Sequence, residues 1–161
     1  MAATRWLSDQ EQHTWQTYMT ANRLLVDRVE EDLRSEAGIS PTYYELLALL
    51  AGAPGNALRM SELAARSMSK PSRITHAVNR LEQQGLIQRE HCPDDRRGWS
   101  AALTDSGRAM LAAAAPPHVD SVRAHLIDLL TPAQVRQLGE ISDILLRHLA
   151  GAPSGAEPHD K

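Results

Sequence analysis

The chain contains no phenylalanine and only three tryptophans and three tyrosines. An aromatic core is therefore excluded, and with 42% apolar residues an aliphatic, Ala- and Leu-rich helical protein is expected. A single cysteine rules out an internal disulfide framework and fits a reducing cytosol. No apolar run approaches the roughly 20 residues that a membrane-spanning helix needs. The N-terminus also lacks the basic and apolar regions of a signal peptide, so a cytoplasmic location without a membrane partner is expected. There is no glycine-rich phosphate loop, nucleophile motif or dense acid/base cluster, which argues against an enzyme and gives no reason to expect a cofactor. His118 and His125 are seven apart, and His13, His91 and His148 lie elsewhere. Without an H-x3-H or C-x-x-C spacing these histidines read as structural or surface residues, not zinc ligands.

A net charge of −3 taken alone speaks against a nucleic-acid binder, but its distribution does not. From Arg59 to Arg97 there are eight basic and five acidic residues, against nine basic and fifteen acidic in the remainder. Such asymmetry suits a protein that turns one basic face to a polyanion.

That basic stretch also has the clearest pattern. Ile74, Ala77, Val78 and Leu81 recur at helical spacing and form one apolar stripe. Ser72, Arg73, Thr75, His76, Asn79 and Arg80 make up the polar remainder. Ser69 suits the N-cap, Pro71 the first turn and Gly85 the left-handed position after the end. Upstream, Ser61 to Ser67 carries Leu63 and Ala64 at helical spacing, and so short a connection predicts a helix-turn-helix. Downstream, Leu86 to His91 and Trp99 to Leu103 read as two strands, with Trp99, Ala101 and Leu103 alternating to one face. Between them Cys92 to Gly98 reads as a turn-rich loop tipped by Arg96 and Arg97. A helix-turn-helix followed by a hairpin is a winged helix.

The order SELAARS, SKPSRITHAVNRLEQQGLIQRE, PDDRRGWSAALTDSGR resembles the winged-helix domain of the MarR (multiple antibiotic resistance regulator) family of transcription factors. Its D-x-R signature is Asp95-Arg96-Arg97, followed by Leu103-Thr104 and Gly107. The resemblance covers roughly residues 8 to 150. It implies a sequence-specific DNA-binding regulator, a homodimeric repressor of a nearby gene relieved by a small aromatic or phenolic ligand. On this reading Ser72, Arg73, Thr75, His76, Asn79 and Arg80 face the major groove, where hydroxyls, amides and guanidinium groups meet base edges or phosphates. Lys70, Arg59 and Arg66 serve phosphates or simply solubility, Arg96 and Arg97 form the wing tip with Arg97 entering the minor groove, and Asp95 orients an arginine without touching DNA. Two symmetric lobes would meet half-sites about 10 base pairs apart, on an approximately palindromic operator. Trp15, Tyr18, Tyr43, Tyr44 and Met68 are the side chains available to line an effector crevice. Two alternatives stand beside this reading: a redox-responsive regulator acting through Cys92, and a winged-helix protein-interaction module that does not bind DNA.

The rest of the chain is expected to be helical, giving a mainly α fold with a small β-hairpin wing (α+β). Ser8-x-x-Glu11 is a capping box opening a long helix to Glu36, whose stripe runs from Trp15 to Leu33. Ser40-Pro41 opens the next helix, and Gly52 to Asn56 breaks the chain. Thr104 and Asp105 start a further helix, which Pro116-Pro117 is expected to kink or interrupt. Thr131-Pro132-Ala133-Gln134 is a second capping box. The organisation expected is one domain over 1–150, with dimerisation helices at 8–36 and 105–150 around a DNA-binding lobe at 40–104, and a disordered tail at 151–161.

Overall fold

The computed structural model describes residues 4–92 and 95–150, apart from the side chains of Cys92, Asp95, Arg96 and Arg97. The tail at 151–161 lies outside the described residues. Helix α1 (Asp9–Ala37) opens with both halves of its capping box formed between Ser8 and Glu11, and it ends at Gly38 with φ 65°. Glycine bears that left-handed conformation without a steric penalty. Helix α2 (Pro41–Ala51) starts on the Ser40 hydroxyl, which accepts from the backbone N–H of Tyr43.

Strand β1 (Ala57–Arg59), helix α3 (Met60–Arg66), helix α4 (Pro71–Gln83), strand β2 (Ile87–Cys92) and strand β3 (Asp95–Leu103) follow. The sheet order is β1-β3-β2, antiparallel throughout, with Leu58 opposite Ala101 and Arg89 opposite Ala101 on the other side. Strand β1 is not among the sequence expectations. Three residues carry no alternation to read, and their pairing is made with Ser100 to Ala102, far along the chain.

Three further expectations need correction. The residue before α4 is Lys70, with no side-chain cap, while the Ser69 hydroxyl donates to the Ser67 carbonyl instead. The turn is too tight for Ser69 to reach α4, because Met68 takes φ 48°. The expected loop at Cys92 to Gly98 is shorter, since β3 begins at Asp95. The register shifts between His91 and Cys92, so Trp99 pairs with His91 and Asp95 with Cys92. Trp99 does not share the burial of Ala101 and Leu103: it is 44% exposed, out along the hairpin beyond the core. Finally, helix α5 (Asp105–His125) runs through Pro116 and Pro117 without interruption. The carbonyls that lose N–H partners there belong to Ala112 and Ala113, both exposed, where water can meet them. The chain leaves the helix only after His125, at Leu126 with φ −139° and ψ −64°.

The core joins Leu33, Ile39, Leu46, Leu47, Leu50, Leu58, Leu63, Ile74, Val78, Leu81, Ile87, Ala101 and Leu103. It thus ties α1 and α2 to the winged helix, and Ala114 brings α5 to the same cluster. Two compact units are distinguished, one through Val122 and a second from Arg123. The second contains helix α6 (Pro132–Leu149), whose Thr131–Gln134 capping box is fully formed and whose Ile141, Ile144, Leu145 and Leu149 are exposed.

Candidate nucleic-acid interface

Helix α4 buries Ile74, Ala77, Val78 and Leu81, which turns Ser72, Arg73, His76 and Arg80 to the solvent. Lys70 and Thr75 are also exposed, and the Thr75 hydroxyl donates back to the Pro71 carbonyl at 3.0 Å. Asn79 departs from this row: it is half-buried, and its Oδ1 has no hydrogen-bond partner among the described residues.

Ser72, Arg73, His76 and Arg80 come together around a concavity of about 620 Å³ completed by Ser40, Thr42 and Tyr43 from the start of α2. No carboxylate is among the described residues that line it. Two guanidinium groups, an imidazole and several hydroxyls with no opposing charge form a surface for phosphate oxygens and base edges. Sequence reasoning did not find the α2 contribution, because Ser40 and Thr42 read only as helix-opening residues.

Thr75 belongs to a second hollow of about 360 Å³, with Arg59, Met60, Ser61, Arg89, Gly98 and Trp99. Here α3, α4 and the base of the wing meet. Arg89 is held by Glu82 at 2.6 Å, which links β2 to α4. That hydrogen-bonded guanidinium keeps the Glu82 carboxyl below its ordinary range. Arg89 also lies over the Trp99 ring at 5.9 Å, and His91 stacks on the same ring with centroids 3.8 Å apart. The wing base is thereby stiffened by side chains that the alternation pattern alone does not single out. The side chains of Asp95, Arg96, Arg97 and Cys92 lie outside the described residues; their backbones belong to the hairpin.

A third cavity, of about 580 Å³, lies among α1, α2 and α5 and reaches the start of α4. Leu25, Val26, Val29 and Leu33 form its apolar wall, and Tyr44, Glu45, Arg73 and His118 supply polar groups. Tyr44 packs against His118 at 4.6 Å, and burial pushes the Tyr44 hydroxyl above its ordinary pKa. Partial desolvation raises the exposed Glu45 as well, opposed by the nearby charge of Arg73. Of the aromatic and Met side chains available for a crevice, only Tyr44 lines this cavity. Tyr43 lines the α2–α4 concavity, Trp15 and Tyr18 are exposed, and Met68 is 85% exposed in the helix-turn-helix turn. Among the described residues no group of three His, Cys, Asp or Glu could hold a metal ion, and no helix is long and apolar enough to cross a membrane.

Comparison with known proteins gives consistent results. The model of the MarR family matches residues 37–98. The chain is 33% identical over 111 residues to the HTH-type transcriptional regulator PecS of Dickeya dadantii, covering 68% of this chain and 64% of that protein. It is 31% identical over 99 residues to the HTH-type transcriptional repressor YetL of Bacillus subtilis, covering 62% and 59%. The matched part thus spans less than two thirds of these curated relatives. Two solved structures are similar over nearly their whole length, both MarR family transcriptional regulators from Streptomyces coelicolor. AbsC is 42% identical with a TM-score of 0.86, covering 92% of this chain and 99% of that one. Sco3205, solved in complex with DNA, is 45% identical with a TM-score of 0.87, covering 96% of each chain.

Proposed function

The chain belongs to the MarR family of transcriptional regulators, and on that premise we propose that it binds an approximately palindromic duplex as a homodimer, with α4 in the major groove and the wing in the adjacent minor groove. That family regulates transcription and does not catalyse reactions. The observation that carries the proposal is the concave cationic row of Ser72, Arg73, His76 and Arg80 on a helix whose other side is buried. Lys70 serves a phosphate at the start of the helix. Arg97 enters a groove whose narrow walls raise the negative potential, with Arg96 beside it and Asp95 orienting one of the pair. Similarity to a regulator solved in complex with DNA supports DNA binding. The gene controlled is repressed until a small aromatic or phenolic ligand binds. This reading is favoured by the cavity beside Tyr44 and His118, whose volume lies in the usual range for small-molecule sites of roughly 300–1,000 Å³.

Dimerisation is supported by apolar side chains left exposed at both ends of the chain: Trp15, Tyr18, Met19 and Val26 on α1, and Ile141, Ile144, Leu145 and Leu149 on α6. The test is a gel shift with the DNA upstream of its own gene at two salt concentrations. Binding that is sequence-selective and falls steeply with salt is expected, since neutralised phosphates release counterions. Equal affinity for unrelated duplexes would refute specific recognition.

A further inference from the structure

Arg73 lines two concavities at once, the cationic one beside α2 and the apolar-walled one among α1, α2 and α5. Thr42 is the other residue shared between them, so among the described lining residues Arg73 is the shared charge. The two sides offer its guanidinium opposite surroundings. Towards the DNA-facing concavity stands a second cation, Arg80, with no described carboxylate. Towards the apolar-walled cavity stand Glu30, which is engaged by Arg34 at 2.7 Å, and Glu45. Glu45 and Arg73 line the same cavity, and the Arg73 charge opposes the rise that desolvation gives the Glu45 carboxyl, with no ion pair formed between them. In the absence of a polyanion, Coulomb attraction to Glu45 and repulsion from Arg80 both draw Arg73 towards the cavity. A phosphate in the DNA-facing concavity reverses that balance.

We propose that Glu45 is a positioning residue for DNA binding: it holds Arg73 on the cavity side, and docking on DNA requires Arg73 to leave it. The role rests on the DNA-binding reading above. It also gives the cavity a route to the interface, because any molecule lodged beside Glu45 changes the hold on Arg73. Coupling then needs no long chain of contacts, only one side chain with two places to go.

The experiment measures binding of the full chain to the duplex upstream of its own gene, by fluorescence anisotropy between 50 and 200 mM salt, for four proteins: wild type, Glu45→Gln, Arg73→Ala and the double variant. Glu45→Gln should tighten binding about three- to fivefold, the scale of one solvent-accessible charge–charge interaction. The logarithmic salt dependence should stay unchanged, because Arg73 reaches the phosphate in both complexes and only the cost of leaving Glu45 differs. In the Arg73→Ala background the same substitution should change neither quantity. Wild-type affinity for Glu45→Gln would overturn the role. So would an equal gain without Arg73, which would mark general charge repulsion. If the wild type binds no duplex even at 50 mM salt, the DNA-binding reading falls and this role with it; normal wild-type binding with an inert Glu45→Gln defeats the positioning role alone. Because Glu45 is exposed on α2 and glutamine keeps its shape, matching thermal melts verify that all comparisons are between folded proteins.

Discussion

Gly107 lies so close to the carbonyl group of Leu86 that no β-carbon fits between them, and one placed there would also meet Leu103 Cδ1 at 2.7 Å. The first turn of α5 is fastened to the end of α4 at the same point. The Thr104 hydroxyl donates to the Gly85 carbonyl at 2.7 Å and accepts from the Gly107 N–H at 3.0 Å. Helix propensity alone predicts that Gly107→Ala stabilises by about 1 kcal/mol. Overpacking predicts the opposite sign, a loss of about 1–3 kcal/mol, and this is the outcome expected in urea denaturation.

Met68 takes φ 48° while its side chain is almost wholly in solvent. The left-handed conformation costs a non-glycine residue about 1 kcal/mol, and little burial offsets it. Met68→Gly should therefore raise stability, by up to about 1 kcal/mol after the added freedom of the unfolded chain is counted. A fall in melting temperature would show that the thioether has a stabilising contact.

Stability should depend on pH through Glu82. Its carboxyl is held below the ordinary value of 4.5 by the hydrogen bond from Arg89. A depressed folded-state pKa contributes stability that is present above the unfolded value and lost as pH falls through the folded one. The melting-temperature gap between wild type and Glu82→Gln should be full near neutrality and close as the pH drops below 4.5. A gap independent of pH would deny the pair its role in joining β2 to α4.

On the interface, Arg80→Ala and Arg97→Ala should each weaken operator binding by roughly 1–3 kcal/mol, as for the loss of one good contact. Unchanged affinity for Arg97→Ala at every salt concentration would remove the wing from the interface.

The exposed apolar residues of α1 and α6 make a prediction about mass. Sedimentation at low micromolar concentration should give twice the 17.7 kDa of one chain. Leu145→Glu together with Leu149→Glu should shift the equilibrium towards monomer. A wild-type monomer under these conditions would refute the dimer.

Local signals account for what was legible in the sequence. Ser8 with Glu11, Ser40 with Pro41 and Thr131 with Gln134 mark helix starts within four residues, and each forms the cap it encodes. The stripe from Ile74 to Leu81 is buried as its spacing requires. Errors arise where a neighbour distant in sequence decides. Ala57 to Arg59 becomes a strand because β3 passes beside it. At Pro116-Pro117 the local rule for proline fails, since exposed carbonyls tolerate the lost bonds. In the site, the exposed row on α4 was legible from periodicity. The inward amide of Asn79, the share of Ser40 and Thr42, and the second allegiance of Arg73 depend on how α2 lies against α4, which no spacing along either helix encodes.

Strand β3 is flanked on both sides, by β1 and by β2, and runs from the arginine-bearing end of the hairpin straight into Thr104 and α5. Nine extended residues make a rod of about 30 Å, so a tilt of about 5° at its root swings the far end by about 2.5 Å, enough to break a hydrogen bond there.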